Sequence, residues 1–349
     1  MANRDTQIVP DSRPMVGGDG AHSYASNSAY QGGPVKAAKE LIKEGIIDKL
    51  DSKILGLNAV PNTFRIADFG CSTGPNTFIA VQNIIGSVEL KFQHECPSAI
   101  EFQMFFNDHS DNDFNTLFKS LHQSRSYYAA GVPGSFYSSL FPKSSLHFVH
   151  SSYTLHWLSK VPKVDGVEGS IQTRRFVNEV MEAYAAQFNN DFQTFLNTRA
   201  QELVPGGLAA LVVFSVPDGI PLVNNAAGAF YNTFGSCLVE LGKMGILSEE
   251  KMYNPTPKEL EGIIQRNGNF TIERMEKMTN PKQQVLCSAS DLAVAMRAVY
   301  EGLVKEHFGD EFVDKIFNHF ATKAEENISI IGQRVQDSMM DLFILLKRI

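Results

Sequence analysis

At 349 residues, 43% hydrophobic and 20% charged, the chain is long enough for one large domain, or for a domain with a substantial cap. Its net charge of −7, with no Lys/Arg run interleaved with aromatics, excludes the clustered basic surface that a phosphate backbone requires, so no nucleic-acid partner is expected. No stretch of about 18 apolar residues occurs, which excludes a membrane-spanning helix.

In chain order, residues 1–14 are polar and read as a flexible tail without the apolar core of a signal peptide. Cys71, Cys96, Cys237 and Cys287 are scattered with no CxxC pair, so reduced thiols and a cytoplasmic location are expected, with no structural metal. The sequons Asn269-Phe270-Thr271 and Asn327-Ile328-Ser329 carry no weight without a secretory signal. A turn-rich entry at Gly17-Gly18-Asp19-Gly20 precedes a helix from about Pro34 to Leu50, spaced by Leu41, Ile46 and Leu50. Phe64 to Phe69 reads as a short buried strand. Gly70-Cys71-Ser72-Thr73-Gly74 is a tight loop, and Pro75 opens a helix that runs to about Phe92. Further strands are predicted at Ile100 to Phe106, Leu146 to His150 and Leu208 to Val216, the last behind a Pro205-Gly206-Gly207 turn. Two more fall at Phe270 to Met275 and Leu342 to Lys347, and long helices at Arg174 to Glu202 and Asn224 to Lys243.

This alternation predicts an α/β, Rossmann-like sheet with a helical cap. The core is expected over residues 15–216, with about 165–200 near the cap. The cap is expected over 217–265 and 288–338, and return strands over 266–287 and 339–349.

The loop after the first strand carries the most chemistry. Its glycines allow a sharp turn and close approach of a ligand, and the following helix offers unpaired N–H groups. A dinucleotide enzyme would place pyrophosphate there, but the spacing is Gly70-x-x-x-Gly74 rather than G-x-G-x-x-G. Asp68 at the strand end would repel pyrophosphate and attract an ammonium. Asp108, ending the second strand, can accept two ribose hydroxyls. The alternative for both acids is capping of helices or turns.

The stretches Ser23 to Gln31, Ile66 to Thr77, Phe105 to Asp108, Asn112 to Asn115, Gly131 to Tyr137 and Ser151 to Ser159 follow one another in a distinctive order. So do Arg199 to Glu202 with Pro205 to Gly207, Met296 to Ala298, and Glu306 to Gly309. Over nearly its whole length the chain resembles the SABATH family of plant carboxyl and N-methyltransferases. The resemblance implies S-adenosylmethionine as methyl donor, S-adenosylhomocysteine as product and a homodimer. By matched position it implies that Tyr24, Ser28, Asp68 and Asn76 line the methionine end. Asp108 and His109 would hold the ribose region, and Ser135 and Phe136 the adenine. Gln31 and Trp157 would hold the acceptor carboxylate, with Tyr153 and His156 beside them and Tyr231 facing the pocket from the cap.

A carboxylate is already ionised at neutral pH, so its methylation needs no general base; the task is to align oxygen, methyl carbon and sulfur. The neutral N–H groups of Gln31 and Trp157 suit that task, since they orient a carboxylate without quenching its charge. Trp157 (the single Trp), His156 and Tyr231 also have a plainer reading as packed core or cap residues. Tyr231 stands where the loganic-acid members would carry a His. Two stretches that supply magnesium ligands in metal-bound relatives are short here, after Pro162 and after Met252, so a magnesium site is doubtful and no metal residue is assigned.

The expected reaction is methyl-ester formation on a small plant carboxylic acid, with N-methylation of a xanthine or other alkaloid nitrogen as the alternative. A non-catalytic cofactor-binding protein is disfavoured by the presence of Asp68, Asp108 and Trp157. A nicotinamide oxidoreductase is disfavoured by the loop spacing.

Overall fold

The computed structural model describes residues 14–57, 62–93, 100–162, 177–220, 224–241, 252–281, 283 and 288–349. The expected flexible tail lies outside them except for Pro14, as do Cys96 and Cys287. The elements are α1 (Tyr24–Asn27), α2 (Ala29–Lys49), β1 (Thr63–Phe69), α3 (Pro75–Phe92), β2 (Glu101–Asp108), α4 (Phe114–Lys119), β3 (Tyr128–Pro133) and β4 (Leu146–Ser152). They continue with α5 (Val177–Glu202), β5 (Leu203–Ser215), α6 (Ala226–Glu240), α7 (Pro257–Asn267), β6 (Phe270–Met278), α8 (Ala289–Phe308), α9 (Asp310–Ser338) and β7 (Met340–Arg348).

The strands form one sheet in the order β3-β2-β1-β4-β5-β7-β6. β1 to β5 run parallel, and β7 inserts antiparallel between β5 and β6. Strand alternation builds both faces. On β5, Leu208, Ala210 and Val212 pack with α2 and α3, while Ala209, Leu211 and Val213 pack with α5. A third apolar cluster joins α6, α8 and α9 through Phe234, Phe317 and Phe320, and forms the cap.

The structure departs from the sequence reading in four places. β3 went unread because Gly131 and Pro133 interrupt an exposed edge strand that has no apolar alternation. The turn at Pro205-Gly206-Gly207 is a bulge inside β5, where the pairing steps from Leu146↔Leu203 to Phe148↔Leu208 and Gly206 adopts φ 76°. α2 begins at Ala29 and runs through Pro34. Its Gly32 lies so close to α3 that a Cβ there would stand 2.6 Å from the Asn76 Oδ1. Residues 257–265, expected in the cap, belong to α7. Its Leu260, Ile263 and Ile264 are buried against α5 and the sheet, because Thr256 and Glu259 form a capping box that starts a separate amphipathic helix.

Candidate functional site

β1 and β4 are sheet neighbours, but their following connections leave in opposite directions, so a crevice opens outside their carboxyl ends. Gly70 turns out of β1 at φ 81°, and any Cβ there would lie 2.2 Å from the Thr154 hydroxyl oxygen, so only glycine lets the two loops meet. Ser72 and Tyr153, one in each loop, hold positive φ without being glycine. Such backbone strain persists only where neighbours enforce it. At Ser72 the enforcement is Asp108, whose Oδ2 accepts the Ser72 N–H at 2.7 Å while its Oδ1 accepts the His109 N–H at 2.8 Å. The turn-capping reading of Asp108 is therefore realised, and the residue also lines the crevice. Burial pushes its carboxyl above the usual range, partly offset by those two N–H groups.

A small hollow of about 380 Å³ lies at the base of the crevice, bordered by Tyr24, Gln31, Asp68, Asn76, His150 and Ser152 among others. Asp68 is buried and caps no helix. One oxygen accepts the Thr77 hydroxyl and the other pairs with His150 Nδ1 at 2.8 Å. Asn76 donates to the Ser28 hydroxyl at 3.1 Å, which sets Ser28 one layer behind the hollow rather than on its surface. Four polar atoms of the lining, Gln31 Oε1, Ser72 Oγ, His150 Nε2 and Ser152 Oγ, are buried without a hydrogen-bond partner. Unpaired buried polar atoms cost free energy, and four of them converging on one hollow mark a place built for a polar ligand. The zwitterionic amino-acid end of S-adenosylmethionine fits that requirement.

The crevice widens into a cleft of about 1490 Å³, its open mouth included, which Asp108, His109, Ser135 and Phe136 border. The Ser135-to-Phe141 wall rests on a buried ion pair. Arg199 Nε lies 2.8 Å from Glu202, its guanidinium donates to the Phe136 and Ser138 carbonyls, and Glu202 accepts the Leu140 and Phe141 N–H groups. The pair's remaining face is apolar, with the guanidinium 4.2 Å from the Phe69 ring centre.

Above the sheet, a cavity of about 870 Å³, its open mouth included, opens between core and cap. Phe214, Phe230, Leu292, Met296 and Met339 make most of its wall apolar, while Gln31, Tyr153, His156, Trp157 and Tyr231 all border it. Gln31 is shared with the small hollow, and Tyr153 and Trp157 are shared with the cleft. Tyr24 borders all three spaces. Burial holds Tyr24 well above the ordinary tyrosine range and lowers His156 to about 4, so His156 is neutral at physiological pH. The Tyr153 hydroxyl donates to Asp341 on β7, which ties this cavity-lining residue to the last strand. Met252 pairs with Trp157 as an isolated antiparallel bridge and Tyr253 N–H donates to the His156 carbonyl at 2.9 Å, so the segment after Met252 is seated on the Trp157 loop.

Sequence reasoning missed Thr77, His150 and Ser152 at the hollow, Tyr300, which borders both the cavity and the cleft, and Asp341, which accepts the Tyr153 hydroxyl. Thr77 and His150 are legible only once β1, α3 and β4 are adjacent. Of the two magnesium-related stretches, residues 163–172 lie outside the described residues. Among the described residues, no group of three His, Cys, Asp or Glu could hold a metal ion.

The parallel sheet with its antiparallel β7, the strand-end acids and the polar hollow together define a methyltransferase core that takes S-adenosylmethionine. The chain belongs to the SAM dependent carboxyl methyltransferase family, whose model matches residues 10–349. It is 42% identical to loganic acid O-methyltransferase of Catharanthus roseus over 97% of this chain and 95% of that one. It is 40% identical to farnesoic acid carboxyl-O-methyltransferase of Arabidopsis thaliana over 95% and 97%, and 38% identical to paraxanthine methyltransferase 2 of the same plant over 95% and 98%. A solved loganic acid methyltransferase with SAH superposes with a TM-score of 0.88 at 40% identity, covering 96% of this chain and 98% of that chain.

Proposed function

We propose that this enzyme forms the methyl ester of a small, largely apolar plant carboxylic acid, with the acid's carboxylate held by Gln31 and Trp157. One observation carries the reading. The two residues stand where the cap cavity meets the cofactor spaces, and the rest of that cavity is mostly apolar. When bound, S-adenosylmethionine supplies an electrophilic methyl group on a sulfonium sulfur. Asp68 with His150, and Asn76 backed by Ser28, hold its amino-acid end. Asp108 and His109 take the ribose, and Ser135 and Phe136 flank the adenine. Gln31 and Trp157 would donate N–H groups to the acceptor and so orient its carboxylate toward the methyl group that the cofactor would supply. Neutral His156 leaves the acceptor's charge available for attack. The apolar cap keeps water from that charge, which strengthens the alignment. The family resemblance also supports a homodimer, and the scattered cysteines a cytoplasmic location, which sedimentation and fractionation would test.

The test is transfer of labelled methyl from S-adenosylmethionine to a panel of plant acids and xanthines, with extractable label counted before and after mild alkali. Alkali-labile label on an apolar acid is expected. Alkali-stable label would overturn the ester reading in favour of N-methylation, which the paraxanthine methyltransferase relative supports.

A further inference from the structure

We propose that Asp341 is a positioning residue for methyl transfer, holding the Tyr153 ring as the fixed wall between the acceptor cavity and the cofactor cleft. The inference rests on the placement of the acceptor in the cap cavity, but not on which acceptor atom is methylated.

Asp341 is out of character with its strand. β7 reads Met340-Asp341-Leu342-Phe343-Ile344-Leu345-Leu346, a run buried on both faces, and Asp341 is only 4% exposed. Strand alternation gives Asp341 the same face as Phe343 and Leu345, where α2 packs. There it accepts the Tyr153 hydroxyl, and the Tyr153 and Tyr30 hydroxyl oxygens lie 3.3 Å apart. The two rings meet edge to face with centroids 5.8 Å apart. Tyr30 and Tyr153 both border the acceptor cavity, and Tyr153 alone of the two also borders the cleft.

Tyr153 needs this anchor. Its φ of 57° is unfavourable for a bulky residue, and such a conformation persists only when its surroundings over-determine it. Its N–H is pinned by the Val212 carbonyl at 2.9 Å, which fixes the backbone and leaves the ring direction to the hydroxyl's partner. An apolar residue would satisfy the packing of β7, and a buried carboxylate costs stability unless it is paired. The charge thus works against the strand and in favour of the ring that divides the two substrates.

The same charge has a pH signature. Burial raises Asp341 to about 6, against the lowering influence of the Tyr153 hydroxyl, Asn280 and Lys277. The titratable groups facing it are Tyr153, Tyr30 from α2 and Lys277 from β6. The two tyrosines are themselves pushed up by burial, so Asp341 titrates first. Below about 6 the protonated acid, like an amide, accepts through a neutral carbonyl oxygen and more weakly, so the ring's hold loosens about as much as in Asp341→Asn. An acceptor carboxylic acid titrates near pH 4, so the two events separate.

The experiment compares Asp341→Leu, Asp341→Asn, Tyr153→Phe and the Asp341→Leu/Tyr153→Phe double variant with wild type, using the best acceptor from the panel. Asp341→Leu and Tyr153→Phe are each expected to lower kcat about tenfold. Both should bind S-adenosylhomocysteine within about threefold of wild type, and the double variant should fall no further than either alone. Asp341→Asn keeps an acceptor oxygen without the charge. It should retain kcat within about threefold at neutral pH, melt higher, and lose the fall in kcat, itself no more than about threefold, that wild type shows below about pH 6. Tyr153→Phe deletes one hydroxyl and decides the matter if Asp341→Leu does not fold. Wild-type kcat in Tyr153→Phe, or additive losses in the double variant, would overturn the proposal. Alkali-stable product would change the reading of the reaction and leave these ratios equally decisive.

Discussion

The two halves of the site are made differently. The cofactor half sits on strand ends and glycine-shaped loops, and its polar atoms are either tied in pairs, as Asp68 is with His150 and Thr77, or left unpaired facing the hollow. The half we propose for the acceptor is made of cap helices with side chains such as Phe230, Leu292 and Met296, and few polar groups. A fixed polar ligand demands fixed hydrogen-bond partners, so the first half is built on rigid strands. An acceptor recognised mainly by shape leaves selectivity to side-chain volume, so the second half is built on helices that can be re-lined.

Substitutions that separate the two halves sharpen this contrast. The largest effect is expected at their junction. Trp157→Phe keeps an aromatic ring, though a smaller one, and removes the indole N–H, and should lower kcat/KM for the acceptor about a hundredfold, the scale of a lost charge-assisted hydrogen bond. Its affinity for S-adenosylhomocysteine, read by calorimetry, should stay within about threefold. A parallel loss of cofactor affinity would break the distinction. Next comes Asp68→Ala, which leaves His150 and Thr77 without their buried partner and should weaken S-adenosylhomocysteine about thirtyfold. Residual turnover at saturating cofactor should keep the acceptor preference of wild type.

On the acceptor side, Met296→Ala enlarges the cavity and should shift preference toward longer acids about tenfold, the worth of one or two methylenes. Competition between two acids in one vessel reads that ratio directly, and cofactor KM should not move.

The smallest effect is on acid stability. His156 is depressed from 6.5 to about 4, so its contribution is fully present above pH 6.5 and is lost as pH falls toward 4. At pH 5.5 the loss is about 1 kcal/mol, one unit below the unfolded value. His147, in the core beneath Arg65, is lowered to about 4 as well and adds a similar slope. Asp341, raised to about 6, acts in the opposite sense between about 6 and its ordinary value of 3.8. His156→Gln should therefore remove about half of the histidine-driven loss in urea titrations between pH 6.5 and 5.5, read as a difference from each protein's own stability at pH 8 so that the cost of the buried substitution cancels.

Legibility followed locality. The helix from Pro75 to Phe92 could be read from its opening proline and apolar spacing, and α3 has those bounds. β3 could not, because an exposed edge strand with Gly131 and Pro133 carries no local signal. The start of α7 had one in Thr256-Pro257-Lys258-Glu259, a capping box followed by an apolar stripe. That signal would have separated the helix from the cap. Asp68 stood out at the end of an apolar strand. His150, its partner 82 residues away, did not, because the pairing exists only once β1 and β4 lie side by side.

By itself, the sequence determined the α/β alternation, the glycine loop between β1 and α3, the acids at the ends of β1 and β2, and a family-wide order of short motifs. All of these are encoded within a few residues of one another by turn sterics, strand period and helix caps. The tertiary structure alone decided that Ser28 stands behind Asn76 and that the Tyr153 hydroxyl finds an aspartate in the last strand. Those outcomes depend on contacts between segments 48 and 188 residues apart, which no local pattern specifies.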